Sequence, residues 1–369
     1  MLKNSKIYVA GHRGLVGSAI HRSMLAKEYS NIVTRTHAEL DLTDQAGVAT
    51  FFKKEKPEYV VMAAAKVGGI MANNTFRAEF IYENLQMQNN IIHQSYLHGV
   101  KKLLFLGSSC IYPKNCPQPI KEEYLLTGEL EYTNEPYAIA KIAGRTMTES
   151  YNLQYGTNFI SVMPTNMYGP NDNFDLSTSH VLPALIRKMH LGKLLASMDY
   201  EAICKDFLRY KINKDHQYLS ATDIQALKPQ DIATLLKKYG IYPSSIALWG
   251  SGKPRREFLY SDDLASACLF LMENIDFVDL NDTKLIRNCH LNIGSGEDMT
   301  IGDLAVLVKK IVGYQGDISW NPAMPDGTFQ KLLDVSKINQ LGWKSSISLE
   351  VGIQNVYNVY RDRVKTFWE

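Results

Sequence analysis

Short apolar runs alternate with longer amphipathic stretches along the first half of the chain. The apolar runs are Lys6–Ala10, Asn31–Thr34, Tyr59–Ala65, Lys102–Gly107 and Asn158–Pro164. Such runs, rich in Val, Ile and Leu, are typical of parallel strands buried on both faces. The amphipathic stretches between them are Val16–Glu28, Gln45–Glu55, Arg77–His98 and Tyr137–Gln154. The alternation predicts a doubly wound α/β fold whose parallel strands end at one ligand-binding edge.

The regular alternation of apolar runs and amphipathic stretches ends after Pro164. Residues 166–179 are rich in Gly, Pro, Asn and Asp, so we expect a loop there. A charged, mostly helical segment covers about residues 194–239, and a shorter strand–helix pattern resumes from Ser245. Thr300 and Asp303 have the spacing of a helix cap and its acidic partner, which predicts a helix ending at Val312.

Composition excludes several classes of protein. Of the 369 residues, 45% are apolar and 21% are charged, as in ordinary globular proteins. The 40 Lys and Arg exceed the 38 Asp and Glu by 2, which argues against a general nucleic-acid binder. No apolar run approaches a membrane span, and the polar start lacks a signal peptide. Five scattered cysteines without a C-x-x-C pair indicate neither disulfides nor structural metal, so we expect a soluble cytoplasmic protein.

A glycine-rich loop follows the first predicted strand. Gly11, Gly14 and Gly17 stand in a G-x-x-G-x-x-G spacing just before a predicted helix. Such glycines permit a tight turn, let a pyrophosphate approach the backbone and let the helix pack on the strand. The helix N-terminus offers unpaired N–H groups and a partial positive charge to the phosphates. The loop predicts a dinucleotide site whose contacts are Gly11, His12, Arg13, Gly14, Leu15, Val16 and Gly17.

The end of the second predicted strand indicates which dinucleotide binds. An NAD site normally has an acidic residue there for the ribose 2′-hydroxyl, but this sequence reads Thr34-Arg35-Thr36-His37. Cationic groups, including Arg13 in the loop, suit a 2′-phosphate, so we expect NADP(H). Asp41 and Leu42 follow and could contact the adenine; equally, Asp41 could cap the next helix.

A tyrosine and a lysine stand one helical turn apart. Tyr137 and Lys141 are at i and i+4, so their side chains share a helix face. A lysine and a nicotinamide charge nearby would lower the tyrosine pKa from about 10 and make it useful in proton transfer. Ser108, at the end of the fourth strand, can reach the same carbonyl oxygen.

These features in this order resemble the extended short-chain dehydrogenase/reductase superfamily and, within it, the GDP-L-fucose synthase family. The resemblance rests on motifs at residues 11–14, 64–70, 107–113, 134–141, 163–166, 168–170, 249–252 and 256–259. It implies a Rossmann-type NADP-binding domain over residues 1–168, to which segments near 256–274 and 289–295 return. A smaller mixed α/β substrate-binding domain then covers residues 169–369. The resemblance also implies a homodimer.

The resemblance assigns catalytic roles. Tyr137 becomes the proton donor, Lys141 its modulator and a ribose contact, and Ser108 the hydrogen-bond partner of the carbonyl. Cys110 and His180 become the base and acid of an epimerase. This suits the chemistry, because a C4 ketone acidifies the protons on C3 and C5, and cationic neighbours can lower the pKa of a thiol. The implied further cofactor contacts are His37, Asp41, Leu42, Leu106, Gly107, Ser108, Ser109, Lys141, Pro164, Thr165, Asn166, Met167 and His180.

Substrate contacts are implied in the second half of the chain. By resemblance, Lys188, Trp249, Arg256 and Asp326 bind the GDP-sugar. The two cations suit diphosphate oxygens, and Trp249 offers an aromatic face. We interpret the segment at 194–239 as a small helical appendage, packed by its aromatic residues, rather than a second site.

The expected activity is NADPH-dependent conversion of GDP-4-keto-6-deoxy-D-mannose to GDP-L-fucose, by C3/C5 epimerisation and C4 reduction. One alternative is a related C4-reductase of another GDP-4-keto sugar, such as a heptose, without epimerase activity. Another is an NADP-binding sensor, but such proteins typically lose the tyrosine–lysine pair. We expect neither a metal nor a nucleic-acid or membrane partner.

Overall fold

The computed structural model describes residues 1–215, 217–280, 287–324 and 326–365. They form two compact units, each built from three segments of the chain. Unit 1 comprises Met1–Met167, Glu257–Asp298 and Lys331–Ile347. Unit 2 comprises Tyr168–Arg256, Met299–Gln330 and Ser348–Glu369.

The strands and helices are numbered here in chain order. The strands are β1 Ile7–Ala10, β2 Ile32–Val33, β3 Tyr59–Met62, β4 Lys102–Leu106, β5 Phe159–Pro164, β6 Asn166–Tyr168, β7 Asn213–Lys214, β8 Gln217–Tyr218, β9 Ser245–Trp249, β10 Arg255–Tyr260, β11 Leu291–Ile293, β12 Asp298–Thr300, β13 Asp317–Asn321 and β14 Gln330–Lys331. The helices are α1 Leu15–Ala26, α2 Gln45–Glu55, α3 Ile70–Thr75, α4 Arg77–Leu97, α5 Glu135–Tyr155, α6 Val181–Ala196, α7 Tyr200–Tyr210, α8 Ala221–Gln225, α9 Pro229–Lys238, α10 Ser261–Asn274, α11 Ile301–Val312, α12 Ser336–Gln340 and α13 Leu349–Lys365.

Unit 1 is built on a six-stranded parallel sheet with the strand order β11-β5-β4-β3-β1-β2. The order reverses direction after β1, which is the doubly wound arrangement expected from the sequence. All five predicted strands are present, although β2 is only two residues long. The four predicted helices correspond to α1, α2, α4 and α5, and α2 has the predicted bounds.

Side chains of the sheet enter two separate apolar cores. Ile7 and Val9 of β1 pack in a core that includes residues of α1 and α10. The alternate residues Tyr8 and Ala10 pack in the other core, with residues of α2 and α4. Successive residues of a strand point to opposite faces, so helices on both faces require the strand to be apolar throughout.

Unit 2 has a parallel pair of strands, β9 and β13, and a group of helices. Thr300 caps α11 as predicted, because its hydroxyl accepts a hydrogen bond from the Asp303 N–H at 2.9 Å. The predicted loop at 166–179 is wrong for its first three residues, which form β6. The segment at 194–239 is mostly helical as predicted, but it also contains the antiparallel hairpin β7–β8.

Candidate active site

The glycine loop lies between β1 and α1, tightly packed against its neighbours. Gly11 has φ +84°, and a Cβ on it would lie 2.7 Å from the backbone nitrogen of Ala64. A Cβ on Gly17 would lie 2.1 Å from the carbonyl oxygen of Gly11. Only glycine fits at these two positions, so the loop has the close strand-to-helix turn that its sequence predicts.

The beginning of α1 fits a phosphate group. Its N-cap, Gly14, has no side chain to bond the first-turn N–H groups, and that turn contains no acidic residue. The Nδ1 atom of His12 is buried without a hydrogen-bond partner in the described residues. Arg13 is exposed next to them. Unsatisfied donors and a cation at a helix N-terminus are what a dinucleotide pyrophosphate requires.

Of the two cations after β2, one is engaged within the protein and the other is exposed. Arg35 donates to Thr34 O at 2.7 Å and to Glu55 Oε1 at 2.6 Å, so its guanidinium is already occupied. His37 is exposed, and its Nδ1 lies 3.9 Å from Asp41 Oδ1. Contact of His37 and Arg13 with the cofactor stays a prediction.

The alternative role of Asp41 as a helix cap is wrong. The N-cap of α2 is Asp44, whose carboxylate accepts from the Ala46 N–H at 3.0 Å. Asp41 instead accepts hydrogen bonds from Thr43, and these hold the pKa of its carboxyl below the usual value. Leu42 is buried in the core of unit 1. Contact of Asp41 and Leu42 with adenine stays a prediction.

The turn after β4 and the start of α5 bring four candidate catalytic residues together. Ser108 accepts the Cys110 N–H at 3.2 Å and hydrogen-bonds Tyr137. The ammonium of Lys141 donates to Leu106 O at 2.8 Å and lies 5.8 Å from the centre of the Tyr137 ring. The spacing predicted from the sequence is therefore present in three dimensions, within one unit.

Burial dominates the electrostatics of the tyrosine–lysine pair. It raises the pKa of Tyr137, Cys110 raises it further, and the hydrogen bond with Ser108 lowers it. In the protein alone the pKa of Tyr137 is therefore raised, not lowered as expected, because burial is the largest influence on it. Burial also lowers the pKa of Lys141, to about 8, so that its ammonium is still the main form at pH 7. Tyr137 is consequently a neutral phenol at pH 7, the form that donates a proton.

Cys110 is buried, and burial raises its pKa above the usual value. The expected net lowering is therefore not observed. The three largest influences that lower this pKa are, in order, the ammonium of Lys331, the hydrogen bond with Ser108 and the ammonium of Lys141. Lys331, which belongs to β14, is not among the residues predicted from the sequence, because no local motif identifies it.

The remaining cofactor candidates of unit 1 lie at the ends of β4 and β5. A Cβ on Gly107 would lie 2.3 Å from the sulfur of Met163, so a larger residue here would displace the end of that side chain. Asn166 donates to Glu257 O at 2.8 Å, and Thr165 N–H donates to Ile293 O at 3.0 Å. These carboxyl-terminal strand ends are where a doubly wound sheet binds its ligand. They also carry Leu106, Ser109, Pro164 and Met167.

Unit 2 carries the other candidates, two of them on α6. His180 is its exposed N-cap, and surrounding protein lowers the pKa of its imidazole below 6.5. Lys188 is half-buried, and burial lowers its pKa to about 8. Its ammonium has no hydrogen-bond or ion-pair partner in the described part of the chain. An anionic ligand would satisfy it.

Trp249, Arg256 and Asp326 also lie in unit 2. Trp249 ends β9 and is 56% exposed, which leaves its ring available for stacking. Asp326 accepts the Ser251 N–H at 2.6 Å and the Ser251 hydroxyl at 2.7 Å. One guanidinium nitrogen of Arg256 donates to Arg255 O at 2.8 Å. Asp326 thus shapes the loop after Trp249, whatever else it contacts.

Two further findings concern the described ranges as a whole. No helix within them is both long and apolar enough to cross a bilayer. Within the same ranges, no three His, Cys, Asp or Glu side chains are grouped closely enough to hold a metal ion.

Comparison with known proteins adds a family and several relatives. The sequence model described as the NAD dependent epimerase/dehydratase family matches residues 7–207 and 221–294. The chain is 48% identical to GDP-L-fucose synthase 1 of Arabidopsis thaliana, over 98% of this chain and 95% of that protein. It is 44% identical to GDP-L-fucose synthase of Escherichia coli, over 99% of both.

Solved structures are similar along the whole chain. A GDP-6-OMe-4-keto-L-xylo-heptose reductase from Campylobacter jejuni is 45% identical, with a TM-score of 0.90 over 98% of this chain and 99% of that one. A GDP-D-glycero-L-gluco-heptose synthase from the same organism, solved in the presence of NADPH, is 45% identical, with a TM-score of 0.88 and the same coverage. A protein described as DdhaC is 52% identical, with a TM-score of 0.83 over 99% of both chains.

Proposed function

Since this chain belongs to the NAD dependent epimerase/dehydratase family, we propose that it converts GDP-4-keto-6-deoxy-D-mannose to GDP-L-fucose with NADPH. It acts as a C3/C5 epimerase and then as a C4 reductase. The observation that carries the proposal is the cluster of Ser108, Cys110, Tyr137 and Lys141 in unit 1. A buried thiol beside the serine, tyrosine and lysine of a reductase adds a second acid–base group to the site.

In the reduction, Tyr137 donates a proton to the oxygen on C4. When bound, NADPH supplies the hydride that turns the C4 ketone into an alcohol. Tyr137 is protonated at neutral pH because its burial disfavours the phenolate. Ser108 hydrogen-bonds the same oxygen and stabilises the negative charge that develops there. Lys141, held by Leu106 O, binds the ribose and replaces the proton on Tyr137.

In the epimerisation, the Cys110 thiolate removes the acidic protons next to the ketone. Lys331 and Lys141 favour that thiolate, whereas burial opposes it. Bound substrate increases the importance of the two cations because it excludes further water from the cluster. His180, which the family resemblance pairs with Cys110, returns a proton to the carbon.

Lys188 and Arg256 bind the diphosphate, Trp249 stacks on the ligand and Asp326 accepts hydrogen bonds from it. Lys188 supports this role most directly, because it is a half-buried ammonium with no partner in the described residues. We also propose that the protein is located in the cytoplasm and forms a homodimer. Light scattering on the purified protein tests the dimer, and a monomeric mass would reject it.

The direct test is an assay of NADPH oxidation with GDP-4-keto-6-deoxy-D-mannose, followed by NMR identification of the sugar. We expect GDP-L-fucose, and the absence of NADPH oxidation would reject the proposal.

The second candidate is a GDP-heptose C4-reductase, favoured by the likeness to the two Campylobacter jejuni structures at 45% identity. GDP-4-keto-heptoses assayed in parallel distinguish the two through kcat/KM.

A cysteine substitution separates the two half-reactions. In Cys110→Ser, the hydroxyl is too weakly acidic to act as a base near pH 7. We expect loss of deuterium incorporation from D₂O at C3 and C5, whereas direct reduction to the D-series sugar survives because Tyr137 and Lys141 are intact. NMR of substrate recovered with and without NADPH measures both. Deuterium incorporation at the native rate in this variant would mean that Cys110 is a packing residue and not the base.

A further inference from the structure

Behind the catalytic cluster, unit 1 contains a buried chain of polar side chains that the proposed mechanism does not use. Its members are Arg145 of α5, His290 just before β11, Tyr112 after the turn that holds Cys110, and Asn292 of β11. Their exposed fractions are 5%, 1%, 3% and 0%. Unpaired polar groups at such depth are costly, so each contact among them constrains the structure.

The direction of each hydrogen bond among these four side chains follows from the groups at the two ends, Arg145 and Asn292. Arg145 Nε lies 3.1 Å from His290 Nδ1, and an arginine nitrogen can only donate, so Nδ1 carries no proton. At the other end, the Asn292 amide nitrogen donates to Ile120 O at 2.9 Å. Its oxygen therefore accepts the Tyr112 hydroxyl proton at 2.5 Å.

The two ends meet at the contact between Tyr112 and His290. Since the Tyr112 proton points to Asn292, its oxygen must accept from His290 Nε2, which lies 2.9 Å away. Neutral His290 with its proton on Nε2 satisfies both contacts. A second proton on Nδ1 would face the Arg145 N–H and its positive charge. Burial and the Arg145 charge lower the pKa of His290 well below 6.5, in agreement with this assignment.

These hydrogen-bonded side chains connect the two segments that carry the catalytic groups. Tyr112 directly follows the 3₁₀ turn Ser109–Ile111, which contains Cys110 and is capped by Ser108. Arg145 lies one helical turn beyond Lys141 on α5. Glu149, a further turn along, fixes the Arg145 guanidinium through two hydrogen bonds, one of them at 2.9 Å.

We propose that the Arg145–His290–Tyr112–Asn292 chain is a positioning device, which holds the turn bearing Ser108 and Cys110 against the helix bearing Tyr137 and Lys141. These residues touch no reacting atom in this role. They set the distance between the two halves of the cluster. The inference rests on the proposed function for its reaction, but its hydrogen-bond directions do not depend on the substrate.

The test compares Tyr112→Phe with Ser161→Ala in the full-length protein. Tyr112→Phe removes the central hydroxyl and keeps the ring. Ser161→Ala is the matched control, because it removes one buried hydroxyl bond between β5 and Thr148 of α5, at 2.6 Å, outside the chain. Kinetics use NADPH with GDP-4-keto-6-deoxy-D-mannose, and thermal unfolding is recorded for both variants.

We expect Tyr112→Phe to lower kcat about 10- to 100-fold, because displacement of catalytic groups by about 1 Å has such effects. Its KM and NADPH affinity should stay within about twofold, and Ser161→Ala should keep kcat within about twofold at a comparable loss of Tm. Equal kcat in the two variants would overturn the positioning role. Failure of the native protein to turn over this substrate rejects the proposed function instead, and the variants are then compared on GDP-4-keto-heptose.

A second measurement needs neither substrate nor substitution of Tyr112. Nitrogen-15 NMR of the native protein, with His290 assigned by comparison with His290→Gln, reports which ring nitrogen carries the proton. We expect a neutral ring protonated on Nε2 throughout pH 6 to 8. A ring protonated on Nδ1, or one that titrates within this range, would overturn the proposed chain.

Discussion

At the scale of single residues, burial decides the chemistry of the cluster more than neighbouring charge does. It raises the pKa of Tyr137 and Cys110 and lowers that of Lys141 and Lys188. In each case the neutral form is favoured, as expected for groups withdrawn from water. The two lysines are thereby brought to a pKa of about 8, close to neutral pH, whereas Tyr137 and Cys110 are held as the neutral phenol and thiol.

The first prediction concerns the proton donor. Tyr137→Phe removes the phenolic proton but keeps the ring, so kcat for reduction should fall by about 10²–10⁴. NADPH affinity, measured by fluorescence titration, should hardly change. Turnover within a few-fold of the native value would reject the assignment of Tyr137.

The second prediction concerns pH and the diphosphate. Since the pKa of Lys188 is about 8, its ammonium is present below pH 8 and is lost as the pH rises through that value. A bound diphosphate favours the ammonium, so KM should increase about tenfold for each pH unit above 8, until the pKa of the complex is reached. Lys188→Arg is the control, because guanidinium stays charged over this range. KM profiles of equal slope in the two proteins would exclude Lys188 from the phosphate site.

The third prediction concerns cofactor choice. Arg13 is exposed beside the glycine loop, and only NADPH has a 2′-phosphate for it to bind. Arg13→Ala should weaken NADPH binding about 10- to 100-fold and leave NADH nearly unchanged, since a charge-assisted hydrogen bond contributes about 1.5–3 kcal/mol. Titration of the native and altered proteins with both cofactors measures this. Equal weakening would assign Arg13 a structural role.

At the scale of elements, the segment at 194–239 is mostly helical, as expected, and its helix α7 packs closely against α6 and α13 of unit 2. Arg187 of α6 and Asp206 of α7 form an ion pair at 2.8 Å with both side chains fully buried. Tyr360 of α13 donates to the same carboxylate, and its ring stacks on Tyr210 of α7 at a 4.8 Å centroid distance. Tyr218, one of the aromatic residues of this segment that were expected to pack it, is 49% exposed.

This ion pair gives the fourth prediction. Asp206→Ala leaves the Arg187 charge buried without its partner and should lower the free energy of unfolding by about 3–5 kcal/mol. The double variant Arg187→Met with Asp206→Leu removes both charges and should lose considerably less. Chemical denaturation of the three proteins measures the difference. A double variant that is less stable than Asp206→Ala would contradict this account.

At the scale of the whole molecule, the first 167 residues contain most of the cofactor candidates but not a complete domain. The strand β11 and the helix α10 come from the segment Glu257–Asp298. Leu264 and Leu271 of α10 are buried in the same core as Ile20 and Met24 of α1. Without that segment, one face of the sheet would lose the part of its apolar cover that α10 provides, and residues 1–167 would keep only α1 there.

The fifth prediction follows from this arrangement. Residues 1–167 alone should show no cooperative unfolding transition by circular dichroism. In the control, residues 1–298, the segment 168–256 is replaced by a short Gly/Ser linker. The linker can be short because Asn166 donates to Glu257 O at 2.8 Å. The control should recover a transition, and cooperative folding of 1–167 alone would show that α10 is dispensable.

The sequence by itself determined the order of strands and helices, the glycine loop and the Tyr137–Lys141 pair. Each of these depends on local spacing: apolar runs define the strands, and four residues make one helical turn. The longer motifs that resemble the GDP-L-fucose synthase family then predicted the activity. The loop at 166–179 was incompletely predicted because pairing with another strand, which formed β6, leaves no local signal.

Only the tertiary structure decided which distant groups meet. His290 contacts Tyr112 across 178 residues and Arg145 across 145, and Lys331 acts on Cys110 from a different segment. The protonation states also depend on folding, because burial excludes water from groups that are equally hydrated in the unfolded chain. The sequence therefore identified the catalytic groups, and packing determined both their charge and the side chains that hold them in place.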